Sequence, residues 1–426
     1  MPTIPDHPLR FMLTNELHAR PFPTLAAPGR AAYLALKPAK AAAARDRDQE
    51  RAHLIALLDR FGAPHPQPGA THWSGQIGRH FLKWESHTEF VTFTAFEEGL
   101  GDPAFDPSAF DVFPDEWLAA APGTRIASAL IRVELQEGDD EIGTKADQWF
   151  VRDSLAISRV LDDNLVVATD FRIDPAGHTR FALFARPDTG ERRIGRVVQR
   201  LCEIETYKTM SMLGLARARE LSPELNALEQ RLTDLVAHLG DESVSSAKTL
   251  EALLKVSASL ESMAAQSSYR FSATGAYETI VNERIDVLRE VRFKGRQTFD
   301  EFMKRRFDPS MRTVKSTEQR LRTLIERAGR ASDLLRTRVD VELSEENQKL
   351  LASMDRRADL QLRLQQTVEG LSVVAISYYA LNLVLYMLGP LEKIGHIEKY
   401  WIAAVATPFV VFIVWLMIRR IRKSMH

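Results

Sequence analysis

Two stretches near the C-terminus constrain this chain more than anything before them. Gly370–Leu388 (GLSVVAISYYALNLVLYML) and Trp401–Ile418 (WIAAVATPFVVFIVWLMI) carry no charged residue. A bilayer core of ~30 Å needs roughly 20 apolar residues at helical rise, with about 17–25 tolerated. Both stretches meet that length, and the linker Gly389–Tyr400 is short enough to make them a transmembrane hairpin. The competing reading, two buried helices of a soluble core, is disfavoured by the basic residues at their outer ends. Arg419, Arg420, Arg422 and Lys423 follow the second stretch, and Arg356, Arg357 and Arg363 precede the first. In the linker, Lys393 and Lys399 are offset by Glu392 and Glu398. Lys and Arg gather on the cytoplasmic side of spans. That predicts a multi-pass protein of the cytoplasmic membrane with both termini cytoplasmic and the bilayer as its first partner. Tyr386, Tyr400 and Trp401 stand where interfacial aromatics belong.

The segment feeding the first span is charged and contains no proline between Ser310 and Gly389. Continuous from Thr313 to Leu388, it would be a helix of ~110 Å at 1.5 Å per residue. Leu321, Leu324, Ala328, Ala331 and Leu335 repeat at three- and four-residue steps, and Leu350, Leu351, Met354, Leu360 and Leu364 resume the stripe. Such spacing suits coiled-coil-like packing, on preceding helices or on copies of itself, so a homo-oligomer is expected. Thr367, Val374, Tyr378, Asn382 and Tyr386 fall in one sector of the helix. A carboxamide at membrane depth is costly unless it faces protein or water. This sector is therefore expected to be a helix interface, with a pore lining for a divalent cation as the alternative.

The remainder has room for further domains. At 426 residues with net charge −1, nothing marks a nucleic-acid-binding surface. From Arg270 to Arg363, 21 Lys and Arg stand against 16 Asp and Glu, an ordinary solvated balance. The single cysteine, Cys202, excludes an intrachain disulfide and a Cys-based metal site. Its neighbours Val198, Leu201 and Ile204 predict a buried thiol. The first 20 residues lack the apolar core of a secretory signal. Six prolines in residues 1–30 block regular helix there. Between them, Glu16, His18 and Arg20 form a polar cluster, expected to tie the arm to its domain or, alternatively, to act as an acid/base or anion site.

Residues 1–190 read as a mixed α/β domain. Strands are expected over Ala31–Leu36, His80–Trp84, Glu89–Phe96, Arg125–Leu135, Leu165–Ile173 and Thr179–Phe184, and helices over Asp46–Phe61, Pro114–Ala121 and Trp149–Val160. Asp174-Pro175-Ala176-Gly177 is a turn signal, which by itself accounts for Asp174 and Asp170 near His178. No phosphate loop, nucleophile elbow or zinc-protease helix occurs, so no catalytic, cofactor or metal residue is expected. His80 and His87 with Glu85 and Glu89 match no ligand spacing and read as surface pairs. Residues 191–366 read as a helical bundle with a long helix. Its segments are Ile194–Leu215, a helix started by Ser222-Pro223-Glu224 and ending at Leu239, Ala247–Phe293, and a short basic helix ending at Arg306. Glu203 and Glu205 lie about 200° apart on their helix, unsuited to a catalytic carboxylate pair. Ser268, Ser272 and Ala276, beside Gly275, form a small-residue row that predicts a tight helix crossing. Residues 367–420 complete an α+β chain as the membrane hairpin.

Two resemblances follow from these stretches. LTNELHARPFP, RLCEIETYKTMSMLGL, YRFSATGAY and LLASMDRRADLQLRLQQTVEGLSVVAISYY are similar to an uncharacterised bacterial family described only as membrane-anchored. This resemblance covers essentially the whole chain. It implies a membrane anchor and brings no established activity with it; a regulatory or scaffolding cytoplasmic part is the expectation drawn from the absence of catalytic motifs. The layout of cytoplasmic α/β domain, long helix and two-span hairpin also resembles CorA-type magnesium channels. That resemblance implies a homopentamer whose long helix continues into a pore-lining span. Those channels end that span with Gly-Met-Asn; here the place reads Tyr386-Met387-Leu388-Gly389-Pro390.

Overall fold

The computed structural model describes residues 4, 6–16, 22–38, 45–135, 138–241, 244–395 and 399–424. It is a mixed α/β structure with an N-terminal sheet region, long helices and a C-terminal helix. Period-two apolar runs become β1 (Gly29–Lys37), β2 (His72–Ile77), β3 (His80–Ser86), β4 (Val91–Glu98) and β5 (Thr124–Leu135). β6 (Ala156–Val160), β7 (Leu165–Thr169), β8 (Thr179–Ala185) and the two-residue β9 (Val291–Arg292) complete the set. They form one sheet in the order β2-β3-β4-β1-β5-β8-β7-β6-β9, antiparallel throughout except for β5 beside β8.

Short helices lie among the strands: α1 (Arg10–Glu16), α2 (Arg47–Phe61), α3 (Asp115–Ala119) and α4 (Asp139–Trp149). α2 starts where Asp46 accepts from the amides of Asp48 and Gln49, and stops at Gly62 in the left-handed region. Its Leu54, Leu57 and Leu58 join Leu34, Trp84 and Phe93 in one aliphatic and aromatic core. α4 supplies Ile142 and Ala146 to a second cluster with Val166, Ala182 and Phe184. Phe105 packs against both clusters, so one continuous apolar layer lies beneath α2, α3 and α4.

The other face of the sheet lies under α5 (Glu191–Ala237), which buries Val197, Val198, Leu201 and Ile204. Tyr33 on β1 bonds Thr206 at 2.6 Å, and Lys83 on β3 donates to Gln199 at 2.9 Å. Cys202 is buried there, with burial pushing its thiol well up, so it is no thiolate nucleophile. α6 (Ser246–Asp286), α7 (Phe299–Arg306) and α8 (Asp308–Gly395) follow, and α9 (Lys399–Ser424) ends the chain.

Several expectations are corrected. Trp149–Val160 is not a helix: α4 ends at Trp149, and Ala156–Val160 is a strand buried on both faces, paired with β7 on one edge and β9 on the other. Ser222-Pro223-Glu224 starts no helix. α5 runs through Pro223 because Leu221, Leu225, Leu228 and Leu232 continue one buried stripe past it. That burial outweighs the roughly 3 kcal/mol an interior proline costs. The helix expected to reach Phe293 stops at Asp286, and Val291–Arg292 pairs with β6 instead. β2 and α4 match no sequence expectation, and α1 forms at Arg10–Glu16, in the proline-free run between Pro8 and Pro21, where the prolines were expected to block helix.

The tight crossing also lies elsewhere. Ser268, Ser272 and Ala276 are exposed, and a side chain at Gly275 would meet nothing. The close approach is between Gly214 of α5 and Thr274 of α6, where a Cβ on Gly214 would stand 2.2 Å from Thr274 Oγ1. Gly214→Ala is therefore expected to destabilise the chain by about 1–3 kcal/mol through overpacking. Combining it with Thr274→Gly should recover part of that in thermal unfolding; a neutral Gly214→Ala would show the helices free to part.

By internal contacts the chain divides into two compact units, Met1–Gly240 with Glu251–Ala331, and Asp241–Leu250 with Ser332–His426. In the first, Leu321, Leu324, Ala328 and Ala331 of α8 are buried, and Arg320 and Lys315 pair with Glu229 and Glu278. In the second, Ser246 Oγ donates to Glu342 at 2.6 Å. Leu350, Leu351, Met354, Leu360 and Leu364 are exposed on α8.

Candidate functional site

Two regions qualify: the apolar ends of α8 and α9, and a cavity on the sheet. The two helices are long and apolar enough to cross a membrane by length and composition, and only 6% and 11% of their apolar windows are buried. Among the described side chains of Gly370–Leu388 and Trp401–Ile418, only Ser377, Val410 and Val414 are buried. α8 continues as helix to Gly395, and α9 begins at Lys399, so the expected Gly389–Tyr400 linker is mostly helical. α9 passes through Pro408. Thr367 is exposed and returns its hydroxyl to Arg363 O at 2.9 Å; Tyr378 and Tyr386 are exposed and Asn382 is half-buried. Ser377 Oγ is buried without a hydrogen-bond partner. The polar cluster Glu16, His18 and Arg20 falls outside the described residues, apart from the backbone of Glu16.

The cavity, of about 320 Å³, opens beside the C-terminal end of β1. Its apolar wall is Leu34, Leu36, Phe113 and Leu118; its polar lining is Asp111, Asp115, Arg125 and His178. The expected turn builds one side. Gly177 N donates to Asp174 O at 2.9 Å, and Asp174 Oδ1 accepts from His178 N at 2.9 Å. Gly177 has φ +91°, and a Cβ there would meet the Arg125 guanidinium at 2.4 Å. Glycine is thus required twice over, for the backbone and for the arginine lying against it.

His178 is buried, stacked on Phe110 with ring centroids 4.0 Å apart. Ser128 Oγ stands 3.0 Å from both Gly177 O and His178 Nδ1. A hydroxyl has one proton; given to the carbonyl, it leaves Nδ1 as the donor to Ser128 and Nε2 as the lone-pair nitrogen. Ser128 is then no nucleophile, because His178 donates to it. Burial, opposed by Asp174 and assisted by Arg125, holds the imidazole below its ordinary pKa and hence neutral at pH 7.

The other titratable groups are tied into structure. His80 faces Glu97, which also pairs with Arg30 and Arg79. Glu85 pairs with Lys83 at 3.2 Å, and Glu89 with Arg270 and Tyr277. His87 stacks on Phe90. These four do not converge, since His80 and Glu85 are an odd number of residues apart and take opposite faces of β3. Among the described residues no three of His, Cys, Asp and Glu stand together as a metal site. Glu205 pairs with Lys208 and Glu203 with Arg284.

His53 gives a pH prediction. It stacks on Trp117 at 4.0 Å, its Nε2 is buried without a partner, and burial pushes its pKa down to about 4. The unfolded chain takes up this proton near 6.5, the folded chain only near 4, so stability falls as pH drops through that window. The loss is at most about 3 kcal/mol, less wherever water reaches the ring. His80 and His178 are lowered in the same direction; Glu290, raised by burial, acts oppositely. His53→Phe should flatten the fall in unfolding midpoint between pH 6.5 and 4; an unchanged slope would assign it elsewhere.

In the sequence His178 stands out only as a neighbour of a turn whose chemistry accounts for Asp170 and Asp174, and nothing there marks Ser128 or Arg125. Only the pairing of β5 with β8 brings them together, and no local signal announces a parallel pair 50 residues apart. A family model described as "Protein of unknown function (DUF3422)" matches residues 5–425. No curated protein and no solved structure matches the chain.

Proposed function

We propose that this chain, which belongs to the family of proteins of unknown function DUF3422, is a membrane-anchored, self-associating protein whose remaining residues regulate or scaffold rather than catalyse. One observation carries the anchor: two helices of spanning length keep their apolar side chains uncovered. In water, exposed apolar area costs about 25 cal/mol per Å², so a surface of this kind calls for lipid or protein around it. Self-association rests on the exposed stripe Leu350, Leu351, Met354, Leu360 and Leu364. The non-catalytic reading rests on Ser128 and Cys202, neither of which is an activated nucleophile. Membranes from cells expressing the full chain should retain it through alkaline carbonate and release it to detergent. Release by carbonate alone would overturn the anchor. A monomer by mass measurement in detergent would remove the self-association.

A further inference from the structure

We propose that the cavity beside His178 binds a free α-amino acid with an apolar side chain. The argument starts from charge. Arg125, Asp111 and Asp115 line one cavity of about 320 Å³ and are exposed. None of the three side chains makes a hydrogen bond or ion pair among the described residues, although the chain closes many such pairs elsewhere. Opposite charges lining one cavity without closing on each other leave two complementary vacancies, one for an anion and one for a cation. A simple carboxylate would satisfy Arg125 and be repelled by the two aspartates. A simple amine would leave Arg125 unanswered. A zwitterion meets both, with Arg125 taking the carboxylate in its planar fork and the aspartates taking the ammonium.

His178 adds a fixed acceptor. It is 5% exposed, held by Ser128 and Phe110, and its Nε2 has no partner among the described residues. An ammonium N–H can donate to it. Leu34, Leu36, Phe113 and Leu118 then form the wall for the ligand's side chain. The volume sits at the small end of ligand pockets, which fits a single amino acid and not a peptide or nucleotide.

Calorimetry on the full chain in detergent tests this with L-leucine and L-phenylalanine as probes. Two half-molecules are the controls: 4-methylpentanoate, which lacks the amine, and 3-methylbutylamine, which lacks the carboxylate. At least one amino acid should bind at least tenfold more tightly than either control. Arg125→Leu and Asp111→Asn, both at exposed positions, should each weaken it at least tenfold while leaving the unfolding midpoint in place. His178→Phe should weaken it as well. No heat from either amino acid at millimolar concentration would overturn the proposal. So would a half-molecule binding as tightly as the amino acid, or an Arg125→Leu chain binding like the wild type.

Discussion

Added to intact cells, a membrane-impermeant maleimide will modify Tyr400→Cys and leave Ala120→Cys untouched, each in a Cys202→Ala background. Cys202 is the sole native cysteine and is buried, so the background is silent. Tyr400 is exposed at the start of α9, and Ala120 is exposed just after α3. On the proposed anchoring, the basic residues outside the two apolar stretches predict both chain ends on the cytoplasmic side and the Tyr400 end of α9 on the other. After permeabilisation both sites should react, an all-or-none change for Ala120→Cys. Labelling of both in intact cells, or of Ala120→Cys alone, would sink the topology. A charge in the middle of either apolar stretch should weaken the proposed insertion. Arg at Val374 or Ile413, both exposed apolar positions, costs about 2.5–3.5 kcal/mol on insertion scales and should move much of the protein out of the membrane fraction.

What the sequence made legible, and what it hid, divides along physical lines. Strands β1, β3, β4, β5, β7 and β8 were readable because their alternation is local, as was α2 with its capping Asp46 and terminal Gly62. The burial of Leu321, Leu324, Ala328 and Ala331 was readable for the same reason, since a three- and four-residue step survives whatever the helix packs on. Pro223 misled because a start signal is a local preference, and a buried leucine stripe on both sides outweighs it. The small-residue row misled in the opposite way. Spacing alone cannot say which face of α6 is covered, and the covered face carries Ser267, Phe271 and Thr274 rather than Ser268 and Ser272. The cavity was hidden because its parts come from β1, the Phe110–Phe113 segment, α3, the start of β5 and the turn before β8. Each part has an innocent local explanation, and only the sheet order collects them.

Removing Arg270 should be among the most damaging single changes outside the aliphatic core. Glu89, 3% exposed in the bend just before β4, accepts from both terminal nitrogens of Arg270 on α6 and from Tyr277 Oη at 2.8 Å. Burial and the neighbouring Glu89 carboxylate push the Tyr277 hydroxyl's pKa well up, so it remains a donor at any working pH. Desolvating a carboxylate is tolerable only while its charge is answered. Arg270→Met keeps the length of the side chain and its apolar stem but takes away the cation paired with Glu89, leaving it the Tyr277 and Tyr269 hydroxyls and the field of Lys37. Breaking a buried pair from one side typically costs about 3–5 kcal/mol, or roughly 10 °C of midpoint at about 2–4 °C per kcal/mol. The paired change Arg270→Met with Glu89→Leu removes charge and counter-charge together and should be closer to the wild type than Arg270→Met alone. Thermal unfolding of the wild type, Arg270→Met, Glu89→Leu and the paired variant in detergent decides it. If the double variant falls by the sum of the two single losses, the residues act independently, and the sheet is joined to α6 by apolar contact rather than by this ion pair.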